Sequence, residues 1–172
     1  VWHKDVVIKQ FISWLVGCFM GRYSADKPGL IIASQGQKIE DLDLPSMTLE
    51  IDDDGIIPIV QESDFFTDDM TQRIEAGIKV LFGEQNFYDN MKYIKAILGQ
   101  ELRDYLYKDY YDDHTQMYSV KINGANAKRP IYWLFSSKMG DKKKKGYFKA
   151  LVYMHRIEND TLSKLHADYV SP

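Results

Sequence analysis

Thiol chemistry is almost missing from this sequence, in which Cys18 is the single cysteine. That excludes an intrachain disulfide framework and a zinc site built from thiolates. Cys18 lies in an apolar helical stretch, where a small buried hydrophobe is expected rather than a nucleophile. Such cysteine usage fits the cytoplasm, the compartment expected here. Long apolar runs are missing too. The longest, FISWLVGCFMG from Phe11 to Gly21, has eleven residues, whereas a bilayer span needs about 20. GRYSADKPG follows it, with no small-residue cleavage site, so the run reads as a buried helix and no membrane partner is expected. The five prolines stand at 28, 45, 58, 130 and 172, and no two are adjacent. The four histidines, at 3, 114, 155 and 166, show no metal-ligand spacing of the HExxH kind. His114, behind Asp112 and Asp113, reads as surface electrostatics at a helix end. Asp141 before Lys142 stands too much alone for the acidic-and-lysine pattern of a nuclease.

What is present is a lopsided charge. The net −3 over 172 residues divides sharply along the chain. Residues 1–116 carry 11 Lys or Arg against 21 Asp or Glu, a net of −10, and residues 117–172 carry 11 against 4, a net of +7. A basic end beside an acidic remainder suits a polyanion on one side only, and it also suits an ordinary solvated lysine loop.

Hydrophobic periodicity supplies the elements. Apolar residues at 8, 11, 12, 15, 16 and 19 predict a helix over 5–23, with Trp14 and Met20 widening its buried face until it sits between other elements. Lys27-Pro28-Gly29 is expected to break it, and Leu30 to Ala33 to form a small strand. Residues 36–55 form an acidic, turn-rich excursion, and Ile56 to Val60 return to the core. Glu50, Asp52, Asp54 and Gly55 partly imitate a calcium loop, but the twelfth position is Gln61 and Pro58 intervenes. A solvated acidic loop is the expectation there.

Three helices should follow: one capped by Thr67 with the stripe Met70, Ile74, Ile78 and Leu81, one from Glu84 to Leu98, and one from Gln100 to about His114. Ile131–Ser136 and Tyr147–Met154 are aromatic and β-branched, and they flank a basic, glycine-punctuated loop, as in a β-hairpin. Asn159-Asp160-Thr161 starts a last helix. The fold class expected is α+β, mainly helical, with a hairpin or small antiparallel sheet in the C-terminal third. Residues 1–116 form an acidic helical subdomain and 117–172 a basic hairpin with a helix, packed as one unit.

The chemistry concentrates on that hairpin. Lys128, Arg129, Lys138, Lys142, Lys143, Lys144, Lys145, Lys149 and Arg156 surround it, and phosphate binding requires such cations to converge. Alternation sets Trp133 with Ile131 and Phe135 on the core face and turns Tyr132 outward among the cations. These ten residues, without Trp133, are the candidate DNA-binding set. No catalytic or metal-ligating residue is assigned.

Three blocks carry a family likeness. Ile12 to Ala33 (ISWLVGCFMGRYSADKPGLIIA), Ile56 to Leu106, and Lys128 to Val170 with KRPIYWLFSS resemble the PglX family. These are the adenine-specific DNA methyltransferases of BREX phage-defence systems, related to type II restriction–modification enzymes. The resemblance implies a parent far longer than one domain, whose catalytic part uses S-adenosylmethionine and an Asn-Pro-Pro-Tyr-type tetrad to hold a flipped adenine. No such tetrad occurs here, since no two prolines adjoin. No Gly-rich turn follows a strand to receive the methyl donor. The matched blocks correspond to the region beyond the catalytic motif, associated with helical linkage and target recognition. The start at Val1, without an initiator methionine, suits a cloned fragment and equally a processed terminus. The partners implied are double-stranded DNA, other domains of the parent and other defence-system proteins. No cofactor is expected in the segment itself. A docking or scaffold role is the other reading, favoured by the acidic two-thirds and by the tyrosines of the third helix.

Overall fold

The computed structural model describes residues 3–62, 66–137 and 148–170. Helix α1 (Lys4–Met20) runs into the centre of the fold, where every residue from Ile12 to Met20 except Trp14 is buried. It packs against α2 (Met70–Phe82) and α3 (Phe87–Leu98). The helix stops earlier than the proline suggests. Gly21 takes the left-handed conformation at φ 84°, and the N–H groups of Arg22 and Tyr23 both donate to Gly17 O.

Leu30 to Ala33 do not form the expected strand. The N–H groups of Ile31 and Ile32 donate to Arg22 O and Gly21 O, so this segment is bound to the chain leaving α1 rather than to a ladder. The acidic excursion after it is also less solvated than its composition suggests. Leu49, Ile51 and Asp52 are buried, and Asp26 ties its far end by accepting from Ser46 Oγ, Thr48 Oγ1 and Thr48 N–H.

The sheet lies beside the helices with strand order β1-β5-β4, all antiparallel: β1 (Ile56–Ile59), β4 (Tyr132–Ser136) and β5 (Lys149–Tyr153). Pro58 is tolerated because β1 is an edge strand with one side free of ladder bonds. Tyr132 faces Tyr153 and Ser136 faces Lys149, as the hairpin expectation required. The acidic part of the chain contributes β1 and the basic part β4 and β5, so one sheet joins them. Ile57, Ile59, Leu151, Tyr153 and Tyr132 face the helical core. Ile56, Ala150 and Val152 face the opposite way, under the terminal helix α6 (Thr161–Lys164) and its π-helical continuation Leu165–Val170. The α+β class stands, and no described helix is long and apolar enough to cross a membrane.

Two helical details differ from the periodicity. Asp69, not Thr67, caps α2. Its carboxylate accepts the Gln72 N–H at 2.9 Å while the Gln72 side chain accepts the Asp69 N–H, a reciprocal capping box. The third helix divides at Asp109 into α4 (Leu102–Lys108) and α5 (Tyr110–Met117). Tyr105, Leu106 and Tyr107 are consecutive and all buried, which one straight helix with a single inward stripe does not allow. The break at Asp109 then re-aims α5 so that Tyr110 and His114 point inward as well.

Candidate nucleic-acid interface

The candidate cations among the described residues stand at different ends of the hairpin. Lys128 and Arg129 precede β4 and are exposed. Lys149 stands at the opposite end of the hairpin, across from Ser136, beside the connecting loop. Lys138, Lys142, Lys143, Lys144 and Lys145 lie outside the described residues. A five-residue strand rises about 3.3 Å per residue, so the two ends of β4 stand some 13 Å apart.

Three of the remaining candidates are turned inward. Lys149 Nζ donates to Tyr107 O at 2.7 Å and sits 4.1 Å over the Tyr107 ring. Arg156 donates to Asp53 O at 2.7 Å and Met20 O at 3.3 Å, tying the acidic turn to the end of α1. Gly55 beside it, at φ 74°, leaves the space its side chain fills; an added Cβ would stand 3.2 Å from Arg156 Cβ. The third is Tyr132, 1% exposed, whereas its neighbour Trp133 is 37% exposed and stacks edge-on against Phe135. The facing expected of this strand is reversed. Alternation alone fixes two faces but not which one meets the core, and the tyrosine cluster of α5 selects Tyr132.

That cluster holds His114, which is 1% exposed and not a surface residue. Its ring lies 4.7 Å from Tyr132 and 4.9 Å from Tyr118, and neither nitrogen has a hydrogen-bond partner among the described residues. Burial, aided by the charge of Arg22, pushes its pKa down to about 4. The folded state therefore keeps a neutral imidazole, while the unfolded chain takes up a proton below about 6.5. Stability is fully present above that value and falls as pH drops toward 4. Between pH 7 and pH 5 this group should remove about 2 kcal/mol. His114→Phe should flatten that difference in urea denaturation at the two pH values; an unchanged difference would reject the assignment.

Residues 120–127 form a second hairpin of β2 (Val120–Ile122) and β3 (Ala125–Ala127). Asn123 and Gly124 turn it at φ 50° and 80°, the pair a tight two-residue turn favours. The Asn-Gly dipeptide was the available signal. Val120 pairs with Ala127, so the segment carrying Lys128 and Arg129 leaves the hairpin where Tyr118 and Ser119 enter it.

Beside that point opens a cavity of about 400 Å³ lined by Gln10, Ser13, Trp14, Tyr23, Met117 and Tyr118. Tyr23 and Tyr118 share a hydrogen bond between their hydroxyls at 3.0 Å. The Arg22 guanidinium lies 5.5 Å from both ring centres. Gly17, mid-helix and otherwise unfavourable, admits the Tyr23 ring; a Cβ there would stand 2.3 Å from Tyr23 Cδ2. No sequence period announces this cavity, although Gly17, Arg22 and Tyr23 all fall within one of the blocks that carry the family likeness.

Asp52, Asp53 and Asp54 bring their carboxylates within 4.8 Å of one another. Their oxygens already brace the turn. Asp52 accepts from Gly55 N–H, Ile56 N–H and Arg73, and Asp54 accepts from Ile56 N–H and Tyr169. Burial pushes the Asp52 carboxyl up to about 7, against the pull of Arg73 at 2.6 Å.

Comparison with known proteins gives two close relationships. The chain is 36% identical over 186 aligned residues to the adenine-specific methyltransferase BrxX of Escherichia coli O9:H4 (strain HS), covering 99% of the chain and 14% of that protein. It is 33% identical over 175 residues to the adenine-specific methyltransferase PglX of Lacticaseibacillus casei (strain Zhang), covering 96% of the chain and 13% of that protein. No protein-family model matches it. The chain thus spans about one-seventh of the length of these relatives.

Proposed function

Since this chain is related along almost its whole length to the BREX PglX family of adenine-specific methyltransferases, we propose that it is a non-catalytic, duplex-gripping segment of such an enzyme. Methyl transfer to adenine belongs to the rest of the parent, where S-adenosylmethionine is bound. This segment supplies phosphate contacts that position the duplex, in the cytoplasm, while the catalytic part extracts the base. Support for the grip comes from one observation, the exposed cations Lys128 and Arg129 at one end of β4, together with the lysine-rich sequence that follows the strand in the chain. About 13 Å of strand corresponds to roughly four base-pair steps, so both ends of β4 can follow one duplex face.

Fluorescence anisotropy with a short duplex across a salt series tests this. Affinity should fall steeply with salt, with a log–log slope near −0.9 per phosphate contacted. Changing Lys142, Lys143, Lys144 and Lys145 together to glutamine should shallow the slope by up to about 3–4. Changing Lys128 and Arg129 should shallow it by about 1–2. A chain that binds no duplex at low salt would refute the reading and leave the docking role, in which the segment seats other parts of the parent or another defence-system protein.

A further inference from the structure

A partly buried guanidinium normally faces a carboxylate, because an uncompensated charge away from water is costly. Arg22 does not: among the described residues it makes no ion pair, and its surroundings are the phenol groups of Tyr23, whose hydroxyl lies at 3.4 Å, of Tyr118 and of Tyr153. Its positive charge is strong enough at short range to disfavour protonation of His114. Such an arginine is complementary to an anion arriving from solvent. Next to it the cavity offers Trp14 and Tyr118 as aromatic surfaces, with the Gln10 amide and the Ser13 hydroxyl on the same wall. At about 400 Å³ it lies within the range of small-ligand sites, roughly 300–1,000 Å³. Lys128 and Arg129 stand at the foot of the adjoining hairpin.

The geometry points to a subsite for one unstacked nucleotide of a nucleic acid, its base laid on Trp14 or Tyr118 and its phosphate on Arg22. A cavity with aromatic faces and an amide, bordered by a guanidinium that has no carboxylate partner among the described residues, matches the two halves of a nucleotide. Stacking on aromatic rings tolerates any base, so the subsite recognises unpaired geometry rather than sequence. Paired bases inside a duplex present edges and phosphates but no free face, so the subsite discriminates an extrahelical or single-stranded nucleotide from a paired one. This inference extends the duplex-gripping proposal and rests on it only for the source of the strand.

The test uses the whole chain and three probes: a fully paired duplex, the same duplex with one bulged 2-aminopurine, and free deoxyadenosine monophosphate. The bulged duplex is expected to bind about tenfold tighter than the paired one and to lose 2-aminopurine fluorescence on binding. Trp14→Ala should erase that preference while leaving paired-duplex affinity unchanged. Arg22→Gln, which removes no core volume, should weaken bulged-duplex binding on its own, so the test survives if the tryptophan variant fails to fold. Bulged and paired probes bound equally, without quenching, would overturn the subsite while duplex gripping stands. Bulged binding without paired binding would keep the subsite and remove duplex gripping. Tighter binding of the free nucleotide than of the bulged duplex would assign the chemistry to a free nucleotide and overturn the strand as its source. No binding of any probe would overturn both.

Discussion

Replacing Arg103 with methionine is expected to cost about 3–5 kcal/mol, a large share of the 5–15 kcal/mol that holds a domain together. Asp69 is 0% exposed, and Arg103 reaches both of its carboxylate oxygens while also donating to Val60 O at 2.9 Å. One side chain thus joins the start of α2, the body of α4 and the end of β1. The neutral methionine would leave Asp69 charged and buried, with only the Gln72 N–H of its capping box to answer it. Urea denaturation measures the loss. Combining Asp69→Asn with Arg103→Met should recover most of it, because asparagine caps a helix as well as aspartate does and carries no charge to strand. A double variant no more stable than the single one would show that the buried pair is not the source of the loss.

Tyr132→Ala should cost a further class of large penalty, about 3–5 kcal/mol, while Trp133→Ala costs about 1 kcal/mol or less. The two residues are adjacent on β4 and both aromatic, so composition gives no reason for the difference. Burial does. Tyr132 meets His114 at 4.7 Å and Tyr153 edge-on at 5.5 Å, and the carbonyl of its own residue accepts from Tyr111 at 3.2 Å. Trp133 lies on the opposite face of the sheet, edge-on to Phe135, and is 37% exposed. Thermal or urea melts of the two variants decide the matter. Equal losses, or a larger loss for Trp133→Ala, would mean the strand is set one residue out of register.

Much of the fold was readable because it depends on period. Ile12, Leu15, Val16 and Phe19 recur at helical spacing, as do Met70, Ile74 and Ile78, and all are buried as that spacing requires. The paired aromatic runs around 131–136 and 147–154 form the hairpin that their alternation and the polar loop between them imply. The expectations that failed concern residues whose neighbours are distant in sequence. His114 resembles a surface histidine beside Asp112 and Asp113, yet the rings of Tyr110, Tyr118 and Tyr132 enclose it. Asp52 resembles a solvated loop residue, yet Arg73, 21 positions away, brings it inside. Lys149 and Arg156 counted as free cations until Tyr107, Asp53 and Met20 claimed them.

The family relationship and the location of the basic third are properties of the sequence alone, because identity and net charge are sums over residues that no packing alters. So is the missing Asn-Pro-Pro-aromatic tetrad. Which cations remain available to a phosphate was decided by the tertiary structure. A lysine in a hairpin is free or spent according to the carbonyls and rings that packing brings within about 4 Å. The cavity beside Arg22 belongs to the same class of fact. It arises where the turn after α1 meets the end of α5, two segments almost a hundred residues apart, at a contact that only the folded chain creates.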